Sequence, residues 1–194
     1  EILEHLTGFD EQADKLRAIY AQANRSLLVM VMGEFKTGKS TFINALLQQE
    51  LLQSDATPAT AVVSMLSYGN DRKIIGHFLN GEVAEFSIQD LKGITAEGDE
   101  AKKYLREALD YVEIFVPNEI LRNITIVDTP GINVDKEEHI KSTKNFMDRA
   151  DMVLWVFGTE IKKTEIKVMD SLRQEIKPVA VMNRIDEIDE EDDD

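Results

Sequence analysis

The sequence lacks cysteine, has one tryptophan and four prolines among 194 residues, and contains no run of 18 apolar residues. A chain without cysteine forms neither disulfides nor thiolate metal sites, and a membrane-spanning helix needs about 20 apolar residues. These absences favour an α/β domain located in the cytoplasm, with any contact to the inner face of the membrane peripheral.

Basic residues are also scarce, since 22 lysines and arginines stand against 37 acidic residues and give a net charge of −15. Eight of the carboxylates lie in the last nine residues, 186–194, which leaves −7 for the remainder. Strong nucleic-acid binding requires a basic surface, so no nucleic-acid partner is expected. We interpret the acidic end as a solvated loop rather than as a metal or partner site.

Hydrophobic periodicity predicts alternating strands and helices, and therefore βαβ units in a mostly parallel sheet. Strands are predicted at Leu27–Met32, Ala61–Tyr68, Lys73–Leu79, Val83–Phe86, Tyr111–Val116, Asn123–Val127, Met152–Phe157 and Pro178–Met182. Helices are predicted at Thr41–Leu47, Ser87–Leu91, Asp99–Ala108, Lys136–Ala150 and Glu160–Lys177. The Asn80-Gly81 pair indicates a hairpin, and Tyr111–Val116 is predicted to be an antiparallel neighbour of the strand that ends near Asp128.

A phosphate-binding loop is the most informative motif. The segment Gly33–Ser40, GEFKTGKS, lies between a buried strand and a helical pattern, which is the context that such a loop requires. Its glycines let backbone N–H groups face phosphates, and the helix N-terminus adds partial positive charge. Lys39 is expected to lie along the terminal phosphates and Ser40 to ligate Mg²⁺. The alternative is an ordinary glycine-containing turn.

Two later motifs identify the nucleotide. Asp128 ends a strand and begins the sequence Asp-Thr-Pro-Gly, where a carboxylate can hold Mg²⁺ through water and the Gly131 N–H can approach the γ-phosphate. Another strand ends in Asn183-Arg184-Ile185-Asp186, a form of the N-K-x-D guanine motif. Asp186 can accept two hydrogen bonds from guanine, and adenine offers no matching donors. GTP is therefore the predicted substrate.

Together these motifs resemble the GTPases of the translation-factor class, especially the bacterial dynamin-like proteins of the dynamin superfamily. The resemblance rests on the loop and helix Gly33–Leu47, on the threonine-containing segment Ala56–Val63, and on Asp128 lying 95 positions after Gly33. It implies a P-loop NTPase fold of the GTPase type, with a mostly parallel sheet flanked by helices and an N-terminal helix of bundle type.

Two segments follow from this resemblance. Residues 1–25 are predicted to be an N-terminal helical segment that starts a helical bundle, and 26–194 a dynamin-type GTPase domain that is incomplete at its C-terminal end. The helical segment has apolar residues at alternating steps of four and three, as a helix–helix seam requires. These positions are Ile2, Leu6, Phe9, Ala13, Leu16 and Tyr20. The alternative is a helix that packs on its own GTPase core.

The resemblance also implies roles for individual residues. The predicted nucleotide contacts are Gly33, Glu34, Phe35, Lys36, Thr37, Gly38, Lys39, Ser40, Thr41, Asp128, Gly131, Asn183, Arg184 and Asp186. The predicted Mg²⁺ ligands are Ser40, Thr60 and Asp128, and the predicted catalytic residues are Lys36, Lys39 and Thr60. Thr57 is the competing candidate for the first-switch threonine.

Catalysis is expected to differ from that of small GTPases, because Ile132 stands where those proteins carry a water-orienting glutamine. The resemblance implies self-association across the nucleotide face, as a homo- or heterodimer, and membrane remodelling through segments outside this chain. Lys36 occupies the position of a serine that helps to hold a monovalent cation in eukaryotic dynamins, so its ammonium is a candidate replacement; a solvated lysine is the equal alternative. The functional alternative is a nucleotide-gated interaction module with negligible hydrolysis.

Overall fold

A computed structural model shows one eight-stranded sheet with helices against it. The structure describes residues 10–23, 25–52, 62–87, 104–105, 107–131, 143–171 and 176–187. Its strands are β1 (Leu27–Met32), β2 (Val63–Tyr68), β3 (Lys73–Phe78), β4 (Val83–Phe86), β5 (Leu109–Val116), β6 (Ile124–Asp128), β7 (Met152–Phe157) and β8 (Val179–Met182). Its α-helices are α1 (Asp10–Ala23), α2 (Lys39–Leu47) and α3 (Lys163–Ser171), with further helical turns at 143–147, Glu119–Arg122 and Ile185–Glu187.

The sheet has the strand order β4-β3-β5-β2-β6-β1-β7-β8. Strands β6, β1, β7 and β8 run parallel to one another, and β2 and β5 form a fourth parallel pair. The pairs β2–β6, β3–β4 and β3–β5 are antiparallel. The predicted mostly parallel sheet flanked by helices is therefore confirmed, and its parallel half brings the ends of β1, β6 and β8 to one edge.

One predicted neighbour is wrong. The strand β5 does not pair with β6, because β2 lies between them, parallel to β5 and antiparallel to β6. Val63 and Leu66 of β2 are fully buried, which suits an interior strand covered on both faces. Alternation of apolar residues predicts which face of a strand is buried, but it does not specify the neighbouring strand.

Alternate residues of the strands pack into two hydrophobic clusters on opposite faces of the sheet. One cluster includes Ile43 and Leu47 of α2 together with Val31 of β1. The other contains the neighbouring Met30 and Met32 with Phe146 from the 143–147 helical turn, and Val168 and Met169 of α3 pack against it. Because α2 begins directly after β1 and packs on the first face, the turn between them is held at the edge of the sheet.

Several predicted helices extend beyond the part of the chain that the structure describes. The predicted helix Ser87–Leu91 lies almost wholly outside it, whereas residues 143–147 are the described helical part of Lys136–Ala150. For the prediction Glu160–Lys177, α3 begins at Lys163, and residues 176–178 are not helical. The later start has a local cause, because the Lys162 N–H donates to the Glu165 carboxylate three residues onward, as in a capping box.

The helix α1 contains the described half of the predicted seam. Ala13 is buried, but Leu16 is 49% exposed and Tyr20 is 67% exposed, and the other three seam positions lie outside the described residues. After α1, Arg25 donates to both Asp151 carboxylate oxygens at 2.6 and 2.7 Å, and Asp151 Oδ2 accepts from Leu28 N–H at 2.8 Å. These bonds join the start of β1 to the residue before β7; the helical bundle stays a prediction.

A membrane-spanning segment would require a long apolar helix. In the ranges that the structure describes, no helix is long and apolar enough to cross a bilayer.

Candidate nucleotide-binding site

The candidate site lies where β1, β6 and β8 end. The residues after β1 form the loop Gly33–Gly38 and lead into α2, β6 ends at Asp128, and Asn183 follows β8. Since these three strands belong to the parallel half of the sheet, their carboxyl ends meet at one edge, which is where ligands bind in open α/β sheets. Motifs up to 150 positions apart in the sequence are thereby brought together.

The loop backbone depends on glycine at two positions. Gly33 has φ 147° and Gly38 has φ 85°, both in the region that favours glycine. A Cβ at Gly33 would lie 2.2 Å from the Val156 carbonyl oxygen, and one at Gly38 would lie 2.2 Å from Asn183 Nδ2. A side chain at either position therefore strains the loop and collides with a neighbouring element.

The Asp-Thr-Pro-Gly turn approaches the same loop. A Cβ at Gly131 would lie 2.9 Å from both the backbone nitrogen and the Cα of Phe35. The Thr129 hydroxyl donates to the Val31 carbonyl at 2.9 Å, which fixes the turn against the end of β1. This packing places the Gly131 backbone beside the phosphate-binding loop, as its predicted role requires.

Lys39 is a buried cation at the start of α2. Its Nζ donates to the carbonyl oxygens of Gly33 and Glu34 at 3.1 and 2.7 Å. Burial lowers the pKa of Lys39, and the negative charges of Asp128, Glu165 and Glu34 oppose that shift. The loop therefore curls around an ammonium group, which is a suitable arrangement for receiving a phosphate at a helix N-terminus.

Ser40 and Asp128 form the second polar pair of the site. The Ser40 hydroxyl donates to Asp128 Oδ2 at 2.8 Å, and Asp128 is fully buried. Burial raises the pKa of Asp128 to about 6, against the lowering effects of the Lys39 charge and the Ser40 hydrogen bond. Among the described residues, its buried Oδ1 has no hydrogen-bond partner.

This pair fits a magnesium ion. A buried carboxylate oxygen without a donor is unfavourable unless a cation compensates it, and hydroxyl and carboxylate oxygens are the ligands that Mg²⁺ prefers. Because Mg²⁺ usually binds through one or two protein groups plus substrate phosphates and water, Ser40 and Asp128 are a sufficient protein contribution.

The guanine motif contacts the phosphate-binding loop directly. Asn183 N–H donates to the Phe157 carbonyl at 3.0 Å, and its side-chain Nδ2 donates to the Thr37 carbonyl at 2.9 Å. Asp186 is exposed in the short Ile185–Glu187 helix, so its carboxylate is accessible to a ligand. Arg184 has φ 57° and lies 3.5 Å from the Glu187 carboxylate.

The structure therefore brings most of the predicted residues to one place. Loop residues 33–41, Asp128, Gly131 and Asn183 are in mutual contact or in adjoining elements, and Arg184 and Asp186 continue from them at the same edge. Lys36 is exposed with φ 64°, and its Nζ lies 5.5 Å from the Phe35 ring centroid. Thr60, its competitor Thr57, and Ile132 all lie outside the described residues.

Sequence reasoning missed an ionic contact of a loop residue, Glu34. The buried Glu34 carboxylate accepts from Lys162 Nζ at 2.5 Å, and the buried Glu165 carboxylate accepts from Trp155 Nε1 at 3.3 Å. Glu165 had a sequence signal, because it stands three residues after Lys162, which is the spacing of a capping box at the start of a helix. The Lys162–Glu34 contact joins positions 128 residues apart and has no local signature.

Comparison with known proteins gives a consistent result. The model of the dynamin family matches residues 29–182. The bacterial dynamin-like protein of Nostoc punctiforme is 36% identical over 137 residues, which is 66% of this chain and 20% of that protein. Dynamin-like protein A of Bacillus subtilis is 27% identical over 188 residues, which is 93% of this chain and 15% of that protein. The chain thus spans a fifth or less of the length of these two relatives.

Structural comparison supports the same fold. A solved structure described as an oligomerised bacterial dynamin pair superposes with a TM-score of 0.66 and 21% sequence identity, covering 91% of this chain and 29% of that one. The family match includes the phosphate-binding loop, the Asp128 turn and the last strand before the guanine motif. From the motifs, the fold and this match over most of its length, we conclude that the chain belongs to the dynamin family and forms a GTPase domain of that family.

Proposed function

We propose that the chain binds GTP with Mg²⁺ and hydrolyses the bond to the γ-phosphate with water. The observation that carries this proposal is the 2.9 Å bond from Asn183 Nδ2 to the Thr37 carbonyl. It joins a guanine motif to a phosphate-binding loop, so base recognition and phosphate binding belong to one site. The match to the dynamin family supports the proposal independently of the geometry of the site.

Each part of the nucleotide has a proposed partner. Asp186 accepts the guanine N1–H and exocyclic amino hydrogens, and Asn183 and Arg184 flank the base. The loop N–H groups and Lys39 bind the β- and γ-phosphates. Ser40 and Asp128 hold magnesium, which supplies positive charge that neutralises these phosphates during transfer. The Gly131 N–H is proposed to donate to the γ-phosphate, which the packing of Gly131 against the Phe35 backbone supports.

The attacking water must be oriented by groups other than a glutamine, because Ile132 stands at the position of the glutamine. Thr60 is proposed as the first-switch residue that ligates magnesium through its hydroxyl and holds water through its carbonyl, with Thr57 as the competing assignment. Self-association across the nucleotide face is proposed to complete the site. The similar bacterial dynamin pair is described as oligomerised, which supports the proposal that this chain also associates. That pair is described as providing a mechanism for sensing and tethering membranes, which supports a membrane-related role for the full protein.

The test is GTP and ATP hydrolysis measured with Mg²⁺ over a hundredfold range of protein concentration. We expect GTP-specific turnover per molecule to rise with concentration, because association completes the site. Lys167→Ala replaces an exposed lysine of α3 and is the control for the substitutions of Lys36 and Lys39 described below, so it should behave like the unmodified chain. Tight GTP binding with flat, near-zero turnover would instead identify a nucleotide-gated interaction module, and equal use of ATP would remove the guanine assignment.

Lys36 yields a separate prediction about monovalent cations. Its exposed ammonium lies on the phosphate-binding loop, and we propose that it supplies positive charge between the β- and γ-phosphates. The unmodified chain should then hydrolyse GTP at a rate indifferent to potassium, whereas Lys36→Ser should be slower by about tenfold without potassium and recover when it is added. Potassium titration of turnover measures this, and unchanged activity in Lys36→Ala would exclude the role.

A further inference from the structure

A buried hydroxyl lies on the strand next to the carboxylate that is proposed to hold magnesium. Ser64 is the second residue of β2, and only 1% of its surface is exposed. In the antiparallel pairing of β2 with β6, Ser64 lies directly opposite Asp128, the last residue of β6. Ser64 belongs to none of the nucleotide-binding motifs, so only the register of the sheet connects it with the site.

The two side chains lie on the same face of the sheet. Side chains alternate along a strand, and residues opposite each other in an antiparallel pair share a face. Leu66 of β2 and Ile126 of β6 are also opposite each other, and both belong to the hydrophobic cluster that includes residues of α2. Ser64 and Asp128 lie two positions from them on the same strands and therefore face α2 as well. The Ser40 hydroxyl of α2 accordingly reaches Asp128 Oδ2 at 2.8 Å.

Each of the two residues has a buried polar atom without a partner. Among the residues that the structure describes, neither Ser64 Oγ nor Asp128 Oδ1 has a hydrogen bond, so no direct bond joins them. The neighbours of Ser64 on this face of β2 are Val62 and Leu66, which are apolar and fully buried. A hydroxyl in such surroundings is unfavourable unless a polar group binds to it. The hydroxyl therefore requires a partner that alanine at this position would not need.

One water molecule satisfies both atoms at once. Opposite side chains of an antiparallel pair begin about 4.5–5.5 Å apart at their Cβ atoms, and two hydrogen bonds through one water, each about 2.8 Å, span a similar distance. Buried water molecules bind to polar groups that lack other partners and need about two to four of them. Ser64 Oγ and Asp128 Oδ1 are two such groups, and a cation beside Asp128 is a third.

From this geometry we infer that Ser64 is a positioning residue of the magnesium site, whose hydroxyl and Asp128 Oδ1 together hold one water molecule of the magnesium hydration shell. The inference rests on the proposed binding of GTP with Mg²⁺ and adds a residue outside every recognised motif. Protein-bound magnesium usually keeps several waters, and groups that hydrogen-bond to metal ligands fix the orientation of those ligands. Ser64 acts through the water and Asp128, and contacts neither the cation nor the nucleotide.

The experiment is a magnesium titration of the binding of a slowly hydrolysed GTP analogue to the full chain. Ser64→Ala should raise the Mg²⁺ concentration needed for half-maximal binding by about tenfold, the loss typical when a group that supports a metal ligand is removed. Binding measured in excess EDTA should be unchanged, because the phosphate-binding loop keeps its contacts. Equal weakening with and without Mg²⁺ would indicate a general effect on the fold and would overturn the inference.

Two further variants show whether the hydroxyl is responsible. Ser64→Cys keeps nearly the same volume but offers only a weak hydrogen-bonding group, so it should raise the magnesium requirement as Ser64→Ala does. A normal requirement in Ser64→Cys would assign the effect to packing and overturn the inference. The matched control is Ser67→Ala, which removes a hydroxyl from the opposite face of β2, where Ser67 donates to Glu113. This control should leave the magnesium requirement unchanged.

A structure of the complex with the GTP analogue and Mg²⁺ gives a direct readout. We expect one water molecule within hydrogen-bond distance of both Ser64 Oγ and Asp128 Oδ1. A direct bond between these two atoms, or an unchanged magnesium requirement in Ser64→Ala, would overturn the inference alone. An unmodified chain that does not bind the analogue, or binds it equally with and without Mg²⁺, would overturn the proposed binding of GTP with Mg²⁺ as well.

Discussion

Replacing Lys39 with alanine is expected to lower kcat/KM for GTP by about a thousandfold, the loss typical when a preorganised charge at a developing anion is removed. The structure gives the physical reason. The Lys39 ammonium is buried, and the Gly33 and Glu34 carbonyls already orient it, so little reorganisation is needed when phosphates bind. Steady-state hydrolysis over a range of GTP concentrations, with nucleotide affinity measured separately, tests this expectation.

Two controls make the Lys39 result specific. Lys39→Met keeps most of the side-chain volume without the charge, so it should lose as much activity as alanine if charge is the cause. Lys39→Arg should also be impaired, because a planar guanidinium does not fit the buried position that a compact ammonium occupies. Thermal unfolding of each variant separates loss of chemistry from loss of folding. Turnover within tenfold of the unmodified chain in Lys39→Ala would contradict the proposed phosphate role.

Local signals predicted much of this fold. The strands Val83–Phe86 and Met152–Phe157 have the predicted bounds, and the Asn80-Gly81 turn joins β3 to β4 with Gly81 at φ 87°. In each case the information lies within a few neighbouring residues, such as alternation, β-branching or a turn that needs glycine. The position of β2 between β5 and β6 does not follow from such signals, because strand order depends on packing between distant segments.

The candidate site divides in a similar way. The ligand roles of Lys39, Ser40, Asp128 and Asn183 stay predictions, but the placement of these residues at the ends of strands was predictable from the motifs that contain them. The contact of Asn183 with Thr37 was not predictable, because it depends on the distance between the ends of β8 and β1, which are separated in the sheet by β7. The Lys162–Glu34 ion pair was also not predictable from the sequence, because a single lysine or glutamate is typical of a solvated surface.

Replacing Asp186 with asparagine should exchange the base preference from guanine to xanthine. In the proposed binding mode the carboxylate accepts two guanine N–H groups, whereas an asparagine amide presents one acceptor and one donor. Xanthine carries a carbonyl where guanine carries its amino group, so it matches the amide and mismatches the carboxylate. Each mismatched hydrogen bond to a charged group costs about 1.5–3 kcal/mol. We therefore expect GTP affinity to fall about a hundredfold and xanthosine triphosphate to become the preferred ligand.

Competition binding with guanosine, xanthosine and adenosine triphosphates measures this exchange of preference. Glu187→Gln is the matched control, because it removes the same charge from the adjacent exposed residue of the same short helix. The control should retain its preference for GTP, which would show that the net charge of the helix is not responsible. Asp186 is exposed, so its replacement should leave thermal unfolding almost unchanged, and a loss of affinity can be attributed to recognition of the base. Continued selectivity for GTP in Asp186→Asn would remove the carboxylate from base recognition and would leave Asn183, which contacts the loop, as the residue to test next.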